Sequence, residues 1–434
     1  MAAPPCARLA CIRRKAKNVA MTAASPAATL DGRARLNLLL LAGCQALGQA
    51  GNTMMFAATA LSVVTFYPDR ELATLPTTLQ HLGIMLWVFP AALLMQRKGR
   101  RLGFRVGSAF GMAGAGIVGA GLYLASLPLM CLGGLVLGYA VAALHQYRFA
   151  AVELVPPAYR AKAISWVTAG GVVAAVVGPG LVRWTHDMVV PLYLATYAAM
   201  IAIHAVVFTI MGFIRFLPPE AALAAASAAP VRPMEPARPL LQIAGQPRFV
   251  AAVIAAMVAY GAMAFLMSAS PLAIVACGLP HTEAHWVIFM HVLGMFVPAF
   301  FTGNLITRFG AAPVMLAGIM LFGLAVMTGL GGLDAWHFRI ALTLNGIGWN
   351  FLFVGATTLV TTCYRPSERG KVQALNDFLV FGTTATASFL AGFLQARLGW
   401  FTLNWFALVL VAIALAAVTW LHLQNRAEAR QAIA

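Results

Sequence analysis

Twelve stretches of roughly 20 mostly apolar residues, joined by short polar turns, run from residue 36 to residue 422. Each is long enough to cross ~30 Å of hydrocarbon as a helix. In that solvent every backbone N–H and C=O must be satisfied within the chain, so only helices or a closed barrel can span it. The apolar runs are continuous and lack period-two alternation, which selects helices. Their approximate limits are 36–60, 72–95, 104–126, 129–152, 162–183, 190–216, 249–276, 285–306, 311–331, 336–362, 374–396 and 399–422. Charged residues are 9% of the chain and apolar residues 61%, far from the ~25% charge of a soluble domain. The expected fold class is an all-α membrane protein.

Basic residues set the expected orientation. With the N-terminus inside, 24 of the 29 lysines and arginines fall in inner tails and loops. This asymmetry predicts cytoplasmic termini and a multi-pass protein of the cytoplasmic (inner) membrane. The net charge of +17 then reflects topology and contact with anionic lipid, and nucleic acid is not an expected partner. Residues 1–35 lack the apolar core of a signal peptide and read as a cytoplasmic tail, as do residues 423–434. The six cysteines show no metal-finger or disulfide spacing.

The proline-rich stretch 217–247 carries no helix-length apolar run and reads as a cytoplasmic linker between 36–216 and 248–422. Landmarks recur across it at an offset near 210. Gly51 matches Gly261, and His81 with Met85 matches His291 with Met295. Arg97-x-Gly99 matches Arg308-x-Gly310. Pro157-x-x-Arg160-x-Lys162 matches Pro366-x-x-Arg369-x-Lys371. Five matches in order imply a duplicated six-helix unit.

Ala92-Leu-Leu-Met-Gln96-Arg97-Lys-Gly99-Arg100-Arg101 resembles the loop motif G-x-L-a-D-R-x-G-R-R of major facilitator transporters. Gly303-Asn-Leu305-Ile-Thr307-Arg308-Phe-Gly310 resembles its second copy. The resemblance implies the major facilitator fold, twelve transmembrane helices in two six-helix bundles, and transport by alternating access. Gln96 and Thr307 replace the motif's acid. Arg97, Arg100 and Arg101 therefore need another partner, and Asp377 at the start of helix 11 is the expected one. Arg148 and Glu153, near the inner end of helix 4, are further gating candidates or structural anchors.

Met263 and Met267 stand four residues apart in the seventh stretch, as do His291 and Met295 in the eighth. Four-residue spacing puts each pair on one helix face. The two stretches run antiparallel, and both cross-pairs centre on position 279, so three thioethers and one imidazole fall at one depth. Thioether is a soft donor that suits Cu(I). The quartet resembles the signature of CcoA-type copper importers, facilitator proteins that supply copper for haem–copper oxidase assembly. That resemblance implies copper as transported substrate and no resident cofactor. His81, Met85 and Met55 form a weaker echo in the first half and a candidate second waypoint.

Gly348-Trp349-Asn350-Phe351 and Asn376-Asp377-Phe378 fit a wider subgroup, some of whose members resemble riboflavin transporters. Gln45, Gln49 and Asn52 make one polar face on helix 1, and Asn345 and Trp349 share a face of helix 10. With Tyr260 they compose a cavity set that a flat organic ligand such as a flavin would also use. Two further readings therefore stand beside copper import: uptake of a small organic solute such as riboflavin, and a non-transporting receptor or assembly factor. No enzyme motif stands out, and no obligate protein partner is evident.

Overall fold

The computed structural model describes residues 31–156, 159–216, 237–365 and 368–431. Most of the predicted linker, nearly all of the N-terminal tail and the last three residues lie outside these. The first span is Gly32–Val64 and the second Leu75–Lys98. The third is Arg100–Tyr123. The fourth is Leu127–His145, continued after Gln146 by Tyr147–Glu153. The fifth and sixth are Arg160–Thr185 and Leu194–Phe213. The seventh is Pro247–Ala276. The eighth is broken into His281–Phe296 and Ala299–Phe309. The ninth and tenth are Ala311–Gly331 and Ala335–Thr362. Arg369–Gln431 contains the last two, divided at Gly399.

Ten segments among the described residues are long and apolar enough to cross a membrane. One of them, Lys371–Gln424, holds two spans. The first span is long enough but falls short in apolarity, because Gln45, Gln49 and Asn52 interrupt it. Twelve crossings result among the described residues, all helical, so residues 31, 216, 237 and 431 fall on one side. That side is termed the linker side, and the opposite one the far side.

The turns explain part of the internal repeat. Gly99 and Gly310 both take positive φ, 90° and 88°, where the chain reverses between two spans. Only glycine takes this conformation without strain. Spans also approach closely at small residues, as membrane helices do. A side chain on Gly138 would strike the backbone of Gly83 in the first half. One on Gly346 would strike the His291 carbonyl in the second.

Each half packs chiefly within itself, the first span on the fifth and the seventh on the eleventh. The halves meet between the second and eleventh spans and between the fifth and eighth. On the far side they are tied by polar contacts. Arg397 Nε donates to Glu71 Oε1 at 2.6 Å, and Tyr193 Oη meets His281 Nδ1 at 3.1 Å. Thr74 Oγ1 donates to the Ser388 carbonyl at 2.9 Å.

Among the polar pairs described on the linker side, none joins the first half to the second. Arg100 pairs with Glu153 at 2.8 Å, and Arg101 donates to the Gly212 carbonyl. Arg238 clamps the buried Glu368 with two guanidinium bonds of 2.9 and 2.8 Å and its backbone N–H at 2.7 Å. The expected partnership of Arg97, Arg100 and Arg101 with Asp377 is thus corrected. Glu153 takes Arg100, and Arg97 is exposed. Asp377 accepts from its neighbour Asn376 at 3.1 Å. The reason is reach: Glu153 lies beneath the same loop within the same half, whereas Asp377 belongs to the other half.

Candidate functional site

Between the halves lies a cavity of about 200 Å³. Its wall descends to Arg148, Thr168, Ala299 and Val354 on the linker side, beneath the tied far side.

The first span supplies Gln45, Gln49, Asn52, Thr53 and Phe56 to the wall. Spacings of four and three keep the amides on one face. Asn52 Oδ1 accepts from Gln80 Nε2 of the second span at 3.1 Å, which fixes that amide. The side chains of Gln45 and Gln49 are half-buried and make no hydrogen bond to another described residue. They remain available to a solute or water. His81 also lines the wall, with Nδ1 donating to the Thr77 carbonyl at 3.0 Å and Phe56 at 5.4 Å.

The opposite wall is aromatic. Trp349 and Phe353, one turn apart on the tenth span, lie nearly parallel at 5.2 Å and 16°. Tyr260 of the seventh span meets both edge-on, at 5.3 and 4.8 Å. Phe381 of the eleventh span meets Tyr260 at 5.6 Å and stacks on His145 of the fourth at 5.4 Å. Trp349, Phe353, Tyr260 and Phe381 all line the cavity, where aromatic surface can meet a further ring. Trp349 Nε1 is buried without an acceptor. Phe353 and Phe381 were not singled out from sequence, although Phe353 continues the Asn345–Trp349 spacing by one more turn.

The methionine–histidine quartet divides. Met263, Met267 and Met295 line the cavity. His291 does not. It is fully buried, its Nδ1 donates to the Leu342 carbonyl of the tenth span at 2.8 Å, and Nε2 is left without a partner. Close approach of the eighth and tenth spans at Gly294 and Gly346 presses the imidazole against that backbone. The proposed waypoint likewise does not assemble. His81 is on the wall, but Met55 is buried and receives the Thr59 hydroxyl at 3.0 Å. Met85 packs beside Phe381 and Gly382, off the cavity. No cluster of three His, Cys, Asp or Glu suited to a metal occurs among the described residues.

Asn345 is fully buried, off the cavity wall, with both amide atoms unpartnered. Asn350 is spent on structure. Its Nδ2 donates to the Met295 carbonyl at 2.7 Å and its Oδ1 accepts from Thr302 at 2.6 Å, bracing the break at Pro298. Arg148 lines the cavity and Glu153 does not.

A family profile described as Major Facilitator Superfamily matches residues 252–433. The riboflavin transporter RfnT of Brucella anthropi is 40% identical over 373 residues, which is 86% of this chain and 92% of that protein. Two uncharacterized MFS-type transporters of Bacillus subtilis also align. YddS is 27% identical over 88% of this chain and 90% of its own length, and YdeG is 25% identical over 88% and 91%.

Proposed function

This chain belongs to the major facilitator superfamily, and from that premise we propose that it imports a flat heteroaromatic solute of the riboflavin class by alternating access. The aromatic wall carries this reading. Tyr260, Trp349, Phe353 and Phe381 hold one another at 4.8–5.6 Å and face the unspent amides of Gln45 and Gln49 across the cavity. One side thus offers ring surface and the other hydrogen bonds, matching a ring system with a polar edge. An aromatic contact of this kind contributes about 0.5–1.5 kcal/mol beyond area burial. The relative named for riboflavin transport supports the same class of cargo.

Copper import, expected from the quartet, has no support among the relatives. His291 is buried off the cavity wall, and the remaining three thioethers share their cavity with the cationic Arg148. A bare metal cation would meet that charge with no carboxylate on the described wall to offset it. Met263, Met267 and Met295 serve instead as pliable apolar surface around a ring.

The basic asymmetry of the sequence supports a cytoplasmic linker side in the cytoplasmic membrane, both termini inside. The tied far side would then face outward, and the conformer would be the one that releases cargo inward. The test is uptake of labelled riboflavin and labelled copper by the same expressing cells, with rescue of a riboflavin-requiring host. Riboflavin uptake that fails in Trp349→Ala is expected. Copper accumulation without riboflavin uptake would overturn the reading. Riboflavin binding without uptake into proteoliposomes would mark a receptor.

A further inference from the structure

Arg148 is the one permanently charged side chain on the described cavity wall. Its side chain is exposed, and it forms no ion pair among the described residues. Its guanidinium carbon lies 4.9 Å over the ring of its own neighbour Phe149. The fourth and eleventh spans run antiparallel here, with His145 stacked on Phe381. One turn toward the linker side from that stack stand Arg148 on the fourth span and Asp377 on the eleventh. Asp377 takes its hydrogen bond from Asn376, and among the described residues it forms no ion pair with Arg148. Arg148 therefore keeps unspent donors beside the aromatic wall.

A guanidinium is a planar fork of N–H donors that binds two adjacent acceptors at once. Beside a wall that fixes the plane of a ring, such a fork reads the ring's edge. We propose that Arg148 is the specificity-determining residue of this cavity. It takes the electron-rich, hydrogen-bond-accepting edge of a planar neutral or weakly acidic solute, and it rejects planar cations of the same size. The inference rests on the organic-solute reading above and narrows it. Rings carrying carbonyl oxygens and ring nitrogens side by side, as a flavin does, are admitted. Acridine-like cations are not, because their charge meets the like charge of Arg148 at close range.

The experiment uses the full chain in proteoliposomes and in detergent. Riboflavin uptake and binding, the latter by quenching of flavin fluorescence, are measured for the wild type, Arg148→Gln and Arg148→Lys. Proflavine, a planar cation, is the competitor. The wild type is expected to bind riboflavin and ignore proflavine. Arg148→Gln is expected to weaken riboflavin binding about tenfold or more, the range for a lost hydrogen bond to a charged group, and to become sensitive to proflavine. Arg148→Lys keeps the charge without the fork, so it should weaken riboflavin binding while still excluding proflavine. It also decides the matter should Arg148→Gln fail to fold.

Riboflavin affinity and proflavine exclusion that stay at wild-type values in the variants would overturn the assignment of Arg148 alone. So would a loss confined to the maximal rate with binding unchanged. A wild type that neither binds nor takes up riboflavin overturns this inference together with the cargo reading.

Discussion

Arg397 and Glu71 meet on the far side across 326 positions of sequence, with Nε 2.6 Å from Oε1. The pair joins the turn after the first span to the end of the eleventh, so it exists only while the two halves are together there. An exposed pair contributes about 0–1 kcal/mol. In a balanced two-state carrier that is still a shift of up to about fivefold in the ratio of states. Glu71→Gln should raise the reactivity of a reporter cysteine at Thr53 toward an impermeant reagent added from the far side. Exchanging the two residues should restore wild-type protection. Equal reactivity in all three would remove the pair from the closure.

Trp349 is the centre of the aromatic wall. Trp349→Ala should raise the KM for riboflavin about tenfold or more, since both the stacking surface and an unspent indole N–H are lost. Trp349→Phe should recover part of it. Saturation curves in vesicles at equal protein abundance provide the check.

Met263 and Met267 give the sharpest contrast between an organic and a metallic cargo. Leucine conserves their volume. Met263→Leu and Met267→Leu should leave riboflavin uptake within about twofold of wild type. A loss of uptake as large as that in Trp349→Ala would show that sulfur itself matters.

His291 is expected to act on stability. His291→Ala removes the donor to Leu342 in a fully buried setting, which should cost about 1–3 kcal/mol. The melting temperature in detergent should fall while uptake per folded molecule holds.

Glu368 is held well below the usual carboxylate range by the Arg238 guanidinium, aided by backbone N–H donors. A depressed folded pKa means that the stabilisation is fully present above the ordinary carboxylate value. It is lost as the pH falls through the depressed one. Protease resistance around Arg238 should therefore be flat from pH 7 to 5 and decline only in stronger acid. Glu368→Gln should be cleaved readily across the whole range.

Helix periodicity made much of this architecture legible. Spacings of four and three set Gln45, Gln49 and Asn52 on one face, and all three line the cavity. Gly99 and Gly310 stood out as repeat landmarks, and each occupies a turn that needs positive φ. Contacts between distant elements were harder to read. Arg100 finds Glu153 because two spans converge beneath a loop, and no local pattern encodes that. His291 shows the limit of the four-residue rule. Helix geometry of 3.6 residues per turn rotates position i+4 by ~40° from position i. That offset separates Met295, on the cavity, from His291, against the tenth span. Phe381 escaped notice because its role depends on Tyr260 and His145, which lie on two other helices.

The amide-bearing first span has a consequence for biogenesis. By itself it is a poor candidate to leave the translocation machinery for lipid. Its residence in the bilayer must be a collective property, secured once later helices cover its polar stripe. The residues that greet the cargo thus leave the newly made chain dependent on its own downstream sequence. A nascent fragment ending near residue 70 should be extracted by alkaline carbonate, whereas one carrying the first six spans should not.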